Sequence, residues 1–163
     1  MKTVSFLIAG GLASLMMVIP AMAEDHQVQM LNKDSAGRAM QFEPAFLKIA
    51  PGDTVTFVPT DKGHNSESVL TLMPEAAEPW KGKISQEITV TFDTEGFFAY
   101  KCLPHLGMGM IGLIQVGDAP AALDPAQVKK LPKRAADRLT ELTAEAGEAG
   151  ADATSPPEAP AAQ

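Results

Sequence analysis

Hydrophobic and polar residues alternate with a period of two over much of the chain. Thr54-Val55-Thr56-Phe57-Val58 and Glu87-Ile88-Thr89-Val90-Thr91-Phe92 each place apolar side chains on one face, the pattern of half-buried strands. Residues 28–31 form a short apolar run. Phe42, Phe46 and Ile49 mark a segment broken by Pro44, which predicts an edge or bent strand. Gly96 opens Phe97-Phe98-Ala99-Tyr100, which runs directly into Cys102. A last strand is expected over residues 111–116, closed by Gly117-Asp118. Turn signals fall at Pro51-Gly52-Asp53, Asp61-Lys62-Gly63 and Asp93-Thr94-Glu95-Gly96. Short strands at this spacing predict a mainly β fold, a Greek-key sandwich or barrel.

The period changes after Asp124. Val128, Leu131, Ala135, Leu139 and Leu142 lie on one face of a helix that Pro132 divides into a short and a longer piece. That face is expected to pack on the sheet. Residues 144–163 are mostly Ala, Gly, Glu and Pro with almost no apolar bulk. They are expected to form a disordered acidic tail, because such a segment cannot offset its ordering entropy.

The amino-terminal segment reads as a leader. Lys2 precedes an apolar stretch over residues 6–19, and Pro20 precedes Ala21-Met22-Ala23. This is the charged, apolar and small-x-small order of a secretory signal, with cleavage before Glu24. A membrane anchor fits less well, since the stretch is shorter than the roughly 20 residues a spanning helix needs. Removal of residues 1–23 leaves 140 residues with a net charge of −8. That length suits one domain, expected over residues 24–143. The acidity gives nucleic-acid binding no electrostatic support. Half of the −8 sits in the tail, at Glu145, Glu148, Asp152 and Glu158. No membrane association is expected after leader removal.

The composition then isolates one residue. Cys102 is the single cysteine, so no internal disulfide can form. A leftover thiol in an oxidising compartment is exposed to oxidation unless it is paired or metal-bound. Cys102 lies in Lys101-Cys102-Leu103-Pro104-His105-Leu106-Gly107-Met108-Gly109-Met110, where a thiol, an imidazole and thioethers share one loop. Such soft donors favour copper over zinc, calcium or magnesium. His64, 38 residues upstream, completes a two-histidine, one-cysteine set of the kind used by electron-transfer blue copper. Cys-x2-His also occurs in zinc sites, but those ordinarily use four harder ligands. No second cysteine is available here, and methionine serves zinc poorly. Met108 and Met110 both follow His105 at spacings that suit an axial ligand. His26, the third histidine, is expected to be a surface bystander.

Several stretches resemble the pseudoazurins, small blue copper proteins with the cupredoxin fold. They are Asn32-Lys33, Phe42-Glu43-Pro44-Ala45, Pro51-Gly52-Asp53-Thr54-Val55-Thr56-Phe57, Asp61-Lys62-Gly63-His64-Asn65 and the Lys101 to Gly112 loop. The resemblance extends over residues 24–142 and departs at Gln29 and in the tail. It implies a Greek-key β-sandwich with two C-terminal helices. It also implies one copper per chain, held by His64, Cys102, His105 and Met110. Asn65 would tie the two ligand loops together, and Met40 would pack near an outward-facing His105. The implied setting is the periplasm. The implied partners, docking near His105, are redox proteins such as a nitrite reductase or a c-type cytochrome.

Further expectations concern the docking face and the class of function. Leu106, Met108 and Pro104, with Pro59 and Met40, would give an apolar patch around His105. Lys33, Lys62, Lys81 and Lys101 fall in segments resembling a basic ring around it. A monomer is expected. After His64 and His105 only His26 remains, too few imidazoles for a multicopper oxidase or a second catalytic copper, so an enzyme is not expected. A copper carrier or buffer without redox duty is the alternative.

Overall fold

The computed structural model describes residues 23–119 and 123–152. Within these residues eight strands form two four-stranded sheets: β1 (Asp25–Lys33), β2 (Ala39–Glu43), β3 (Phe46–Ile49), β4 (Thr54–Val58), β5 (Glu67–Ser68), β6 (Ile88–Thr91), β7 (Gly96–Lys101) and β8 (Ile111–Val116). The first sheet has the order β2-β1-β4-β6 and the second β3-β8-β7-β5. β1 and β4 run parallel, as do β3 and β8; the other pairings are antiparallel. Two helices follow, α1 (Pro125–Val128) and α2 (Lys133–Asp152). The expected mainly β sandwich with two C-terminal helices is thus observed.

Pro44 explains the broken segment. It separates β2, at the edge of the first sheet, from β3, at the edge of the second. Proline cannot donate to a ladder, so it fits where the chain leaves one sheet for the other.

Alternation sorts the core into two layers. Along β7 and just beyond, Phe98, Tyr100 and Cys102 point between the sheets, among Val28, Met30, Phe42, Val55, Phe57, Trp80 and Phe92. The intervening Phe97 and Ala99 point to the opposite face, toward α2. β8 behaves likewise: Met110, Ile114 and Val116 face the inter-sheet core, and Ile111 and Leu113 face the helix. All six residues of β8 are buried, which accounts for its run of apolar residues. Cys102 therefore occupies the next inward position of a strand whose period already aims at the core.

Aromatic rings fill the centre. Tyr100 packs edge-on against Phe42 and Phe57, with centroids 4.7 Å and 5.0 Å away. Trp80 stacks on Phe57 at 5.9 Å. Its indole N–H donates to Ser66 Oγ at 3.0 Å, so its one polar atom is satisfied.

The helices close the second layer. Asp124 caps α1 by accepting from the Ala126 N–H at 2.8 Å, with Pro125 at the first helical position. On α2, Ala135, Leu139, Leu142 and Ala146 are buried against the sheet, at spacings of four, three and four. Val128 and Leu131 pack partly on the same cluster. This corrects the boundary expected at residue 144. Ala146, 2 % exposed, extends the buried stripe, and alanine and glutamate favour helix, so α2 continues to Asp152. The rest of the expected tail and the leader, apart from Ala23, lie outside the described residues. Among the described residues no helix is long and apolar enough to cross a membrane.

Candidate metal centre

Two loops at one end of the sandwich supply the donors. The first follows β4 and turns at Gly63, whose φ of +93° lies in the left-handed region that glycine tolerates. It delivers His64 into a fully buried position. The main-chain oxygen of His64 accepts from the Ser85 N–H at 2.8 Å, and Ser85 Oγ accepts from the Gly63 N–H at 2.9 Å. The second loop joins β7 to β8. Its backbone closes on itself through His105 N–H to Cys102 O (3.2 Å), Met110 N–H to His105 O (3.2 Å) and Cys102 N–H to Met110 O (3.1 Å).

Asn65 fastens one loop to the other. Its Oδ1 accepts from the Leu103 N–H at 2.8 Å, and its Nδ2 donates to the Gly82 carbonyl at 3.1 Å. Asn65 is 2 % exposed, so these bonds face little competition from water. This is the loop-tying role expected of it.

His64, Cys102 and His105 come together, as the sequence predicts. Cys102 Sγ lies 3.7 Å from His64 Nδ1 and 3.5 Å from His105 Nδ1, and the two nitrogens are 3.1 Å apart. The point equidistant from all three lies about 2.0 Å from each, the length of a metal–nitrogen bond. The far nitrogen of His64 explains which nitrogen faces inward. Nε2 sits 3.0 Å from Asn32 Oδ1, an acceptor, so Nε2 carries the proton and Nδ1 presents its lone pair. Two lone pairs and a sulfur converging on one buried point can share a cation, and the set is as soft as copper prefers.

The protonation energetics agree. Burial pushes the Cys102 thiol up from its ordinary value, opposed by the backbone N–H groups of Asn65 and His105. Burial also holds His64 below the usual imidazole value, the neighbouring His105 adds to this, and Asp61 opposes it. Burial thus leaves His64 neutral, the form in which it can ligate a metal.

Met110 is fully buried and shares the inter-sheet cluster with Cys102, whereas Met108 is 43 % exposed. His105 is only partly buried. Met40 packs partly on the same core. Of the four lysines, Lys33, Lys62 and Lys81 are exposed. Lys101 instead lies 3.3 Å from the Glu67 carboxylate, which offsets its charge. His26 is not a surface bystander: its Nε2 lies 3.0 Å from Asp53 Oδ2. Residue patterning alone also passes over Asn32 and Ser85. Each acts on a partner more than 20 residues away, and neither carries a chemical signature beyond a polar side chain.

Two sheets with this connectivity, closed over two histidines and a cysteine, define a cupredoxin. Comparison with known proteins agrees. A family model described as copper binding proteins, plastocyanin/azurin family, matches residues 28–117. A pseudoazurin from Paracoccus pantotrophus is 49 % identical over 82 % of this chain and 91 % of its own length. A putative pseudoazurin from Rhizobium leguminosarum bv. viciae is 56 % identical over 72 % and 77 %. A solved pseudoazurin structure from Sinorhizobium superposes with a TM-score of 0.68 at 48 % identity, covering 78 % of this chain and 98 % of that one. The chain belongs to the plastocyanin/azurin family of copper-binding proteins, and within it to the pseudoazurins. Family, fold and donor set indicate a blue copper electron-transfer protein with copper as its cofactor.

Proposed function

We propose that this chain is a periplasmic carrier of single electrons. It would hold one copper through His64, Cys102, His105 and Met110 and exchange electrons with larger redox proteins at the His105 face. The convergence of three donor atoms within 3.1–3.7 Å of one another carries the reading. When bound, copper supplies a one-electron couple. The protein's part is to hold a donor set between the preferences of the two oxidation states, so that little moves when the electron moves. Asn32 fixes the His64 ring, Asn65 fixes the loops, and the aromatic core excludes water from the sulfur. Burial of Cys102 and His64 speaks against a carrier that exchanges its metal, which would present accessible donors. With all imidazoles but His26 committed, the chain is read as a carrier and not an enzyme. The leader pattern read in residues 1–23 supports export.

The axial role is assigned to Met110 because it is buried beside Cys102. Met110→Ala should raise the reduction potential by tens of millivolts or more and alter the visible spectrum, since losing a donor disfavours the higher copper charge. Met108→Ala should leave both nearly unchanged. Spectra and voltammetry of the two variants decide it; a shift with Met108→Ala alone would reassign the ligand.

The docking face is read as apolar around His105 with a basic rim. Leu103 and Met108 are 50 % and 43 % exposed. Lys62 precedes His64 by two residues, and Lys33 follows Asn32. An acidic surface on a nitrite reductase or a c-type cytochrome would complement it, and a monomer suits so small and transient a contact. Lys62→Glu should slow association with such a partner about fivefold to tenfold at low salt. The gap should close as ionic strength shortens the Debye length to about 3 Å at 1 M. Stopped-flow rates that do not change with salt would remove the electrostatic part of this reading.

A further inference from the structure

The end of the sandwich away from the metal holds a second cluster of titratable groups. It is built around Asp53, 4 % exposed, at the turn that opens β4. Asp53 Oδ2 accepts from the Ala50 N–H at 2.9 Å and lies 3.0 Å from His26 Nε2. Asp53 Oδ1 accepts from the main-chain nitrogen of Glu24 at 2.8 Å. The surrounding backbone is fixed: Thr54 N–H donates to Glu24 O at 2.9 Å, and Phe92 N–H donates to Asp53 O at 2.9 Å. Asp25, the other acidic neighbour on β1, turns its carboxylate to the Thr54 hydroxyl. These bonds hold Asp53 below the usual carboxylate range, the Glu24 nitrogen contributing most among them.

Glu24 is also the residue at which the leader pattern places the cut, and Ala23 and Glu24 are both exposed. We propose that Asp53 is a receptor for the mature amino terminus. Hydrolysis of the Ala23–Glu24 bond gives the hydroxyl of water to the Ala23 carbonyl and its hydrogen to the Glu24 nitrogen, and the proton of the new carboxylic acid passes through solvent to the same nitrogen. That nitrogen, a neutral amide donor before the cut, is then an α-ammonium ion already seated on a buried carboxylate. A buried charge is costly unless it is paired. Before processing, Asp53 has neutral backbone donors and His26; after it, a full positive charge lies at hydrogen-bond distance, and charge-assisted bonds are the stronger kind. The position is exacting. A cut one residue earlier moves the ammonium by about 3.8 Å and returns an amide to Asp53. In its natural setting the inference rests on the leader reading; in its chemistry it needs only a chain that begins at Glu24.

The test compares copper-loaded chains beginning at Glu24 and at Ala23. In the first, NMR titration of the labelled α-amine should give a pKa at least about one unit above the ordinary 7.7–8.0, and in the second a value within that range. The chain beginning at Glu24 should also melt several degrees higher. Asp53→Asn should return its amine to the ordinary range. If that variant does not fold, acetylation of the Glu24 amine should lower the melting temperature to that of the longer chain. An ordinary amine pKa in the folded, coloured protein beginning at Glu24 would overturn the proposal. The intact mass of the chain exported by its own cells reads the cut separately. A terminus other than Glu24 would overturn the leader reading and leave the capture chemistry to stand or fall on the amine.

Discussion

Serine at position 102 should abolish the intense visible colour of the copper-loaded protein and weaken copper binding by more than about a hundredfold. Changing residues that merely orient a ligand already costs 10-fold to 100-fold, and Cys102 is the one donor in the set that can carry negative charge. Its burial disfavours the thiolate, so in the absence of metal the thiol stays protonated. Binding must then release that proton, and affinity should rise with pH. The fold should survive the change. Serine is close in shape to cysteine, and the Leu103 N–H to Asn65 Oδ1 bond and the main-chain bonds of the loop do not use the sulfur. The melting temperature of the metal-free variant should therefore stay within a few degrees of the parent. Spectrophotometric copper titration and a thermal melt read the two effects separately.

Alanine at Gly112 should be among the most damaging single-methyl additions in the molecule. Gly112 faces Tyr100 across the β7–β8 ladder. A Cβ there would lie 2.2 Å from Tyr100 Cζ and 2.4 Å from its hydroxyl oxygen. The ring cannot retreat, because Phe42 and Phe57 hold it at 4.7 Å and 5.0 Å, and Tyr100 is fully buried. Overpacking a tight core costs about 1–3 kcal/mol and at times more. The upper end applies where a backbone-attached atom meets a wedged ring. That corresponds to a drop of roughly 10 °C in melting temperature for a domain of this size. Because β8 begins directly after Met110, the damage should reach the metal loop and broaden the copper spectrum. A Gly112→Ala protein melting within two or three degrees of the parent would show that the ring has room to move.

Two strands were legible in the sequence for different reasons. The segment 54–58 coincides with β4, whose period of two matches its alternating burial, and 111–116 coincides with β8, whose mostly apolar run matches burial on both faces. β5 was not legible. His64, Asn65, Ser66, Glu67 and Ser68 are all buried yet all polar, so no hydrophobic pattern marks them; they are held by Trp80, Gly82 and Leu103 through hydrogen bonds that form only in the fold. The helix boundary was read too early, because Ala146 contributes a small buried face that composition does not weight. The donor set was legible as chemistry, since a lone cysteine, few histidines and a methionine-rich loop leave little choice of metal. What holds that set was legible only at Asn65, through the family resemblance. Asn32 reaches His64 across 32 residues. At the other end of the sandwich His26 finds Asp53 across 27, where β1 pairs in parallel with β4.

The most direct measurement adds Cu(II) to the purified metal-free mature protein and follows the visible spectrum. One copper per chain is expected, with an intense thiolate-to-copper absorption at once and reversible bleaching by a one-electron reductant. A colourless product, or a protein that binds only Cu(I), would contradict it.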